Sequence, residues 1–295
     1  MRRMLCRPLS LMAVLAVLSV CAFPRSGEAW WEKGHQMIAV NAVAVLPNDM
    51  PAFFREAKDT LARLSVQPDT WKSYGQELRR AETPDHYLDI EKLTDNPLKL
   101  GFYPDRYQAL EAIYKKGDAP AGVGLLSYRL LEDFQKLRGA LAQYRKNPKD
   151  LSIQQEIIVY AGLLSHYAGD TSQPLHLTIH FDGRVDAQGT VIKGKGIHER
   201  FEGPFVDKFI EAADFRPFVA PPVVYTDLYQ AIRLAFSESF KELDTVYRLD
   251  EAGKLETPDE EAKALVRKRL AHGSSFLASL WYTAWVTSAD VKVTR

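Results

Sequence analysis

IQQEIIVYAGLLSHYAGDTSQPLH, which runs from Ile153 to His176, is the segment around which we expect the rest of the chain to fold. Residues 157–169 include no formally charged side chain, and their apolar side chains point in every direction around a helix. A helix that is hydrophobic all round belongs in a protein interior. Pro174 cannot continue a helix, so the sequence predicts a buried central helix that ends before it.

The end of this predicted helix carries groups that are costly to bury alone. His166 and Asp170 are four residues apart and therefore share a helix face. An ionised carboxylate in an apolar core requires a counter-charge. A divalent transition metal supplies that charge and also binds imidazole. The alternative is a core histidine that is hydrogen-bonded to the neighbouring aspartate.

The first 29 residues have the pattern of a secretory signal peptide. Basic residues precede a short apolar run at 9–23, and small residues stand before Trp30. We therefore predict cleavage after Ala29 and export to the periplasm or the medium. The run is too short for a comfortable membrane span, and we expect no transmembrane segment after processing. A lipoprotein site at Cys21 is a weaker alternative, because Val20 precedes it in place of a small residue.

Composition narrows the classes of function. Both cysteines, Cys6 and Cys21, lie in the leader, so residues 30–295 would have no disulfide and no thiol ligand. Any metal would be held by histidines and carboxylates. The full chain has 38 basic and 38 acidic residues, and the leader removes four arginines and one glutamate, which leaves a small acidic excess. We therefore expect no stable binding of duplex nucleic acid through a broad basic face.

Cleavage after Ala29 would make Trp30 the first residue. Its free amine and its own carbonyl can chelate a metal in a five-membered ring, and His35 is close enough in sequence to join them. We expect His35 to open a helix that ends at Pro47. The alternative is a frayed terminus with a surface histidine.

Three further segments offer possible ligands. Asp69 follows a proline after a helix predicted at 51–64, a place where a lone aspartate is usually a helix cap. His86 lies in a predicted short extended segment between aromatic and aliphatic residues, so we expect it to be buried. His198 and Glu202 form a second pair at helical spacing, which in isolation is more often a surface contact.

The remaining segments predict an all-α fold. We expect one multi-helix domain over residues 30–295, with a metal site at the base of a cleft. Further helices are predicted at 105–116, 124–146, 222–243 and 259–286, with no convincing run of strands. The 124–146 helix is interpreted as scaffold that exposes Arg129, Glu132, Asp133 and Lys136. The loop at 178–196 is rich in glycine and charge, and loops of this length are often functional or mobile, which leaves open whether it is a lid. His180 and His272 have no carboxylate at metal-ligand spacing, and we interpret them as structural.

The ordered pattern of these residues resembles one superfamily. It comprises the trinuclear zinc hydrolases that include bacterial zinc-dependent phospholipases C and the plant and fungal single-strand nucleases. The matching motifs extend from Trp30 to about residue 209: WxxxxH, Pro-Asp69, His86-Tyr, HxxxDxxQPLH and HxxxE.

The resemblance implies three zinc ions per chain. One would be bound by Asp69, His86, His166 and Asp170. A second, sharing Asp170, would be bound by His35 and the amine and carbonyl of Trp30. A third would be bound by His176, His198 and Glu202, which leaves a coordination position open.

The resemblance also implies a phosphodiester hydrolase. A water shared by the two zincs that Asp170 joins would lose its proton and attack phosphorus, while the third zinc would accept the leaving oxygen. The catalytic carboxylates would be Asp170 and Asp69. Asp69 would also orient the water.

Two branches of the superfamily remain open. Glu202 as the last ligand, with the run GIHERFE, resembles the phospholipases and favours a phospholipid substrate. The short spacing from Trp30 to His35 and the phrase HYLDIEK resemble the nucleases and predict, as the alternative, a single-strand endonuclease or 3'-nucleotidase. Lys72 stands where nucleases commonly place a phosphate-binding arginine, and Tyr87 would stack on a base or simply pack. An alternative from another class is an exported zinc-binding protein without turnover.

Overall fold

The computed structural model describes residues 30–292. The predicted signal peptide and both cysteines lie outside the described residues. The described part is helical, which confirms the all-α prediction. Its α-helices are α1 (Trp31–Ala44), α2 (Ala52–Glu56), α3 (Lys58–Leu64), α4 (Gln67–Trp71), α5 (Gln76–Glu82), α6 (Arg106–Lys115), α7 (Leu126–Lys146), α8 (Leu151–Asp170), α9 (Ile197–Glu202), α10 (Pro204–Phe209), α11 (Ala212–Phe215), α12 (Leu228–Phe240), α13 (Leu243–Glu251) and α14 (Glu260–Thr287). Short 3-10 turns join them at Thr83–His86, Ile90–Lys92, Pro97–Lys99, Pro120–Gly122, Pro174–Leu177, Arg216–Phe218 and Ser288–Asp290.

Helix α8 is the centre of the fold, as its sequence predicts. It begins where the Asp150 side chain accepts a hydrogen bond from the Ser152 amide, and it ends before Pro174. Its second half is almost wholly buried against α1, α3, α7 and α14. Gly162 allows the closest approach, since a Cβ there would lie 2.4 Å from the Leu64 Cβ. Packing on several sides explains why this helix needs no polar face.

Several predicted helix boundaries are wrong. Helix α1 begins at Trp31, so His35 lies in its second turn and does not open it. The helix predicted at 51–64 is two helices, α2 and α3, joined at Ala57. His86 lies in a 3-10 turn, where an extended segment was predicted, although the expected burial is confirmed.

The helix predicted at 222–243 begins only at Leu228, because its first residues bond elsewhere. The amides of Ala220, Val223 and Tyr225 donate to hydroxyl groups of α14 at 2.9, 3.2 and 3.0 Å. The segment therefore runs extended along α14. Helix α13, which follows α12 after a short turn, was not predicted as a separate element.

The loop at 178–196 contains a short antiparallel strand pair, Arg184–Val185 with Val191–Lys193, that the sequence did not predict. The pair is fastened to α13 by two ion pairs. Arg184 contacts Asp244 at 2.7 Å, and Lys193 contacts Glu251 at 2.8 Å. Within the described residues, no helix is long and apolar enough to cross a membrane.

Candidate metal centre

The candidate ligands predicted from five separate segments meet at the C-terminal end of α8. Helix α1 supplies His35, α4 supplies Asp69, and the turn Thr83–His86 supplies His86. Three groups of side chains within ligand distance of one another result: His35, His166 and Asp170; Asp69, His86 and His166; and His176, His198 and Glu202. All of these side chains are buried except that of His198, which is partly exposed. His180 and His272 lie outside the three groups.

Asp170 stands between two sets of imidazoles. Its Oδ2 is 3.4 Å from His86 Nδ1 and 3.5 Å from His166 Nε2. The Asp69 Oδ1 lies 3.5 and 3.7 Å from the same two nitrogens. Ligand atoms of a tetrahedral zinc, with bonds of about 2.0–2.2 Å, are about 3.3–3.5 Å apart. The four separations between carboxylate oxygens and imidazole nitrogens suit coordination of one ion, and the two nitrogens themselves lie 2.8 Å apart, at hydrogen-bond distance.

His35 faces the other oxygen of the same carboxylate. Its Nε2 is 3.5 Å from Asp170 Oδ1, and its ring stacks on that of His166 with centroids 4.0 Å apart. Gly169 leaves room for the ring, because a Cβ there would lie 2.8 Å from His35 Nδ1. The two oxygens of Asp170 therefore face different imidazoles, as they would in a carboxylate that bridged two metal ions.

The third group is closer to the surface. Glu202 Oε2 lies 3.0 Å from His198 Nε2 and 3.7 Å from His176 Nε2, and the two imidazole nitrogens are 3.0 Å apart. Gln173 donates its side-chain amide to the same oxygen at 2.9 Å. Burial raises the pKa of Glu202, but the neighbouring His198 and His176 outweigh burial and hold it at about 2.

Backbone carbonyls fix two of the histidine rings. His166 Nδ1 bonds to the Ser65 carbonyl and His176 Nδ1 to the His86 carbonyl, both at 2.7 Å. Since a carbonyl only accepts, each Nδ1 is the donor, and the Nε2 of each neutral ring presents a lone pair to the centre. Metal-binding histidines are commonly held in this way by a second hydrogen bond.

Several buried polar atoms of the centre have no hydrogen-bond partner. They include both oxygens of Asp170, both ring nitrogens of His35, His86 Nε2 and Glu202 Oε1. Burial raises the pKa of Asp170 well above its usual value and lowers the pKa of His35 and His166. Unpartnered groups of this kind require an explanation, and a divalent cation among nitrogen and oxygen donors provides one. The residues present therefore fit zinc.

Trp30 is fully buried, so the frayed terminus considered from the sequence is wrong. Its indole donates to Gly169 O and Ser172 Oγ, both at 3.1 Å, and its main-chain nitrogen lies 3.2 Å from Glu202 Oε2. Its carbonyl accepts the Gly34 amide at 3.0 Å. Coordination of a metal by the Trp30 amine and carbonyl stays a prediction.

A cavity of about 260 Å³ opens onto the centre. Its lining includes both residues predicted to meet substrate, Lys72 and Tyr87. The Lys72 Nζ is buried and lies 2.5 Å from Asp69 Oδ1. Tyr87 donates its hydroxyl to Ala121 O at 2.7 Å, which holds the ring at the cavity wall.

Two residues of the cavity were missed from the sequence. The Phe181 ring lies at the mouth, half exposed and edge-on to His198 with centroids 5.9 Å apart. Asp89 also lines the cavity, and burial, with a contribution from Glu91, raises its pKa to about 7. For Asp89 the sequence held a signal in HYLDIEK. In an extended segment, residues two apart, here Tyr87 and Asp89, lie on the same side.

A charged network behind His86 was also missed. Asp85 is buried and receives Arg106 Nη1 at 2.5 Å and Arg129 Nη1 at 3.3 Å. Arg106 also donates two hydrogen bonds to the Glu132 carboxylate, of 2.9 and 2.8 Å. The prediction that Asp133 is exposed is wrong, because it is buried between Arg129 and Lys136. Asp133 is buried because this face of α7 packs against the turn that carries His86 and is not exposed to solvent.

Comparison with known proteins gives a family match, and the similar proteins include a bacterial protein and a solved structure. The model of the S1/P1 nuclease family matches residues 30–189, which include all the candidate ligands except His198 and Glu202. A Bradyrhizobium tropiciagri protein named "Probable serine protease" is 26% identical over 262 residues, with 70% of this chain and 32% of the relative covered. The chain thus spans about a third of that relative. The crystal structure of Clostridium perfringens alpha-toxin from avian strain SWCP is similar at 17% identity and a TM-score of 0.45, covering 90% of this chain and 66% of the toxin chain.

Proposed function

The chain belongs to the S1/P1 nuclease family, and we propose that it is a zinc-dependent phosphodiester hydrolase. The observation that carries this proposal is the Asp170 carboxylate. It is completely buried, neither oxygen has a hydrogen-bond partner, and each oxygen faces a different set of imidazoles. Metal ions held between this carboxylate and those imidazoles would satisfy both oxygens. We further propose that residues 1–29 are a signal peptide and that residues 30–295 form the exported helical domain.

We assign the ligands as the family pattern implies. Asp69, His86, His166 and Asp170 would hold one zinc, and His35 with Trp30 would hold a second that shares Asp170. His176, His198 and Glu202 would hold a third. When bound, zinc supplies positive charge for the phosphoryl oxygens and lowers the pKa of a water towards neutrality.

The chain's own groups would orient the reaction. Asp69 Oδ1 faces the same space as Asp170 and would accept a hydrogen bond from the attacking water. Lys72 lines the cavity next to Asp69 and would hold a phosphoryl oxygen through its ammonium group. Hydrolysis forms one bond from phosphorus to the water oxygen and breaks the bond to the leaving oxygen, which takes a proton.

Single-stranded nucleic acid is the substrate class we favour. The sequence alone favours a phospholipid substrate, whereas the match to the S1/P1 nuclease family favours single-stranded nucleic acid. The Tyr87 and Phe181 rings both line the cavity, and aromatic rings stack on bases of any sequence. Asp89 can hydrogen-bond the edge of a base. Phospholipid remains the second candidate because Glu202 and its flanking residues GIHERFE resemble the phospholipases.

The name of the Bradyrhizobium relative raises serine proteolysis as another activity. In a serine protease of the Ser-His-Asp type, the nucleophilic serine hydroxyl is bonded to a histidine. Ser172, a serine close to the centre, donates its hydroxyl to Gly169 O at 2.8 Å and accepts the Trp30 indole. Both hydrogen bonds of that hydroxyl are structural and neither involves a histidine, so we do not propose proteolysis.

Parallel assays on single-stranded DNA, phosphatidylcholine and casein test the proposal. The protein should begin at Trp30 and be compared after removal and restoration of zinc. We expect zinc-dependent cleavage of DNA. Cleavage of lipid alone would move the assignment to the phospholipase branch. Bound zinc without hydrolysis of any phosphodiester would support a zinc-binding protein and contradict the proposal.

A further inference from the structure

Arg269 on α14 is completely buried, far along the chain from the candidate ligands. Its three nitrogens all donate to oxygens that carry no formal charge. Nε donates to Ser172 O at 3.1 Å, Nη1 to Glu238 O at 2.8 Å and Nη2 to Ser239 Oγ at 3.0 Å. Such a guanidinium is costly to bury, so its location calls for a physical reason.

Two helix ends provide the counter-charge. Ser172 O lies just beyond the C-terminal end of α8, and Glu238 O lies in the last turn of α12. The carbonyls at a helix C-terminus lack helical partners and carry the negative end of the helix dipole. Burial lowers the pKa of Arg269 to about 10, so the group is still charged at neutral pH. The guanidinium therefore joins the ends of α8 and α12 through direct contacts to uncharged oxygens, while Glu242 and Glu238 stabilise its charge through space.

The segment that Arg269 holds, residues 171–173, connects the ligand groups. It follows Asp170 directly and leads to His176. Ser172 Oγ accepts the Trp30 indole, and the Gln173 amide donates to Glu202. Ser239, which Arg269 contacts, donates to Thr171 O at 2.5 Å. Displacement of this link would move Asp170 together with His176 and Glu202, which between them belong to all three proposed zinc sites.

Helix α14 approaches the link closely at a second point. Gly273 lies one turn beyond Arg269, and a Cβ there would be 2.7 Å from Ser172 Oγ and 3.2 Å from Ile38 Cδ1. The Ser172 hydroxyl is committed to Gly169 O and Trp30, so it cannot turn aside without loss of those bonds. Gly273 therefore provides an independent way to displace the link from α14.

We propose that Arg269 is a positioning residue that fixes the 171–173 link, so that Asp170, His176 and Glu202 keep the spacing needed to bind metal. It acts through Ser172 and Ser239 and touches neither metal nor substrate. The inference rests on the proposed function for the identity of the metal. It extends the site to a helix beyond the part of the chain that the family model matches.

The experiment compares Arg269→Met, Arg269→Lys and Gly273→Ala in the full chain. Gly139→Ala is the matched control, because nothing lies within 4 Å of a Cβ at that helical glycine. Amide hydrogen exchange is measured on metal-free protein, and zinc affinity by competition with a chelator. Removal of groups that orient metal ligands typically reduces metal affinity about 10–100-fold.

For Arg269→Met we expect faster exchange at residues 171–176, unchanged exchange in α7, and zinc affinity about 10-fold or more below wild type. Gly273→Ala should shift both readouts in the same direction, and Arg269→Lys should restore part of the loss. Wild-type exchange and zinc affinity in Arg269→Met would overturn the proposal. If Arg269→Met does not fold, wild-type values in Gly273→Ala would overturn it.

The readouts separate the two proposals. A wild-type protein that binds no zinc would end the proposed function, while exchange of the metal-free link would still report on Arg269. Normal zinc binding in wild type and in every variant would leave the proposed function intact and remove the role of Arg269.

Discussion

Asp170 Oδ1 lies 3.5 Å from His35 Nε2, and neither atom has a hydrogen-bond partner although both side chains are completely buried. The opposite oxygen of the same carboxylate faces His86 and His166. A fold that buries the unpartnered Asp170 carboxylate and His35 imidazole side by side is destabilised there unless a cation binds. Stability and metal binding should therefore be coupled at this residue.

The first prediction concerns the stability of the metal-free protein. Asp170→Asn replaces a buried, unpartnered carboxylate with a neutral amide, so we expect the metal-free variant to melt above metal-free wild type at neutral pH. With zinc present the order should reverse, because wild type gains binding energy that the variant loses. Thermal unfolding with and without a chelator measures both. Asp59→Asn, at a highly exposed aspartate, is the control. A metal-free variant that melts below wild type would contradict the prediction.

The second prediction concerns pH. The pKa of Asp89 is raised to about 7 by burial and by Glu91, with Lys92 opposing. Asp89 is therefore neutral below about pH 7 and repels an anionic substrate above it. We expect KM to rise between pH 6 and pH 8 in wild type and to stay low in Asp89→Asn.

The same shift affects stability. A raised pKa contributes stability that is fully present below the unfolded value of 3.8 and is lost as pH rises through about 7. The melting temperature of Asp89→Asn, measured relative to that of wild type, should therefore be higher at pH 8 than at pH 5. Asp95→Asn, an exposed aspartate of the same segment, should leave the profile of KM unchanged. An identical rise of KM in Asp89→Asn would exclude this carboxyl as its cause.

The third prediction concerns Lys72. Its ammonium lies beside Asp69 in the cavity wall and is the nearest candidate to hold a phosphoryl oxygen. Lys72→Met should raise KM about 10-fold, in line with loss of one charge-assisted hydrogen bond, while zinc content stays unchanged. Lys72→Arg should lose less. Steady-state kinetics beside Lys58→Met, a surface lysine, provide the check. An unchanged KM in Lys72→Met would show that phosphate binds elsewhere.

The fourth prediction concerns the network behind His86. Arg106→Met leaves the buried Asp85 carboxylate with one cation fewer, which should lower the free energy of unfolding by about 3 kcal/mol. Adding Asp85→Asn to that variant should recover much of the loss, since the unpaired charge is then gone. Denaturant unfolding of the two single variants and the double variant measures the coupling.

A surface pair provides the comparison. Arg184→Met breaks a contact with the exposed Asp244 and should change stability by about 1 kcal/mol or less. Equal losses at Arg106 and Arg184 would show that burial of Asp85 has no energetic weight.

Helical spacing made part of the site predictable. His166 with Asp170, and His198 with Glu202, are four residues apart, and one turn of a helix brings each pair together whatever the rest of the chain does. His35, Asp69 and His86 come from separate segments. No local pattern joins them, so their convergence was expected from the resemblance of the whole ordered set.

Long-range contacts set the limit of prediction. Asp133 has the spacing of an exposed position on α7, yet the turn carrying His86 and its charged partners covers that face. Arg269 has no local signal either, because its partners are about 30 and 97 residues away. The extended start of 220–225 depends on hydroxyls of α14, which local helix propensity does not report.

Zinc analysis of three purified proteins examines whether Asp170 is shared. The proteins are wild type beginning at Trp30, Asp170→Asn and His198→Ala. From the three ligand groups we predict about three zinc ions per chain in wild type, about one in Asp170→Asn and about two in His198→Ala. A loss of only one ion in Asp170→Asn would contradict a bridging carboxylate. Wild type that binds no zinc would contradict the metal centre itself.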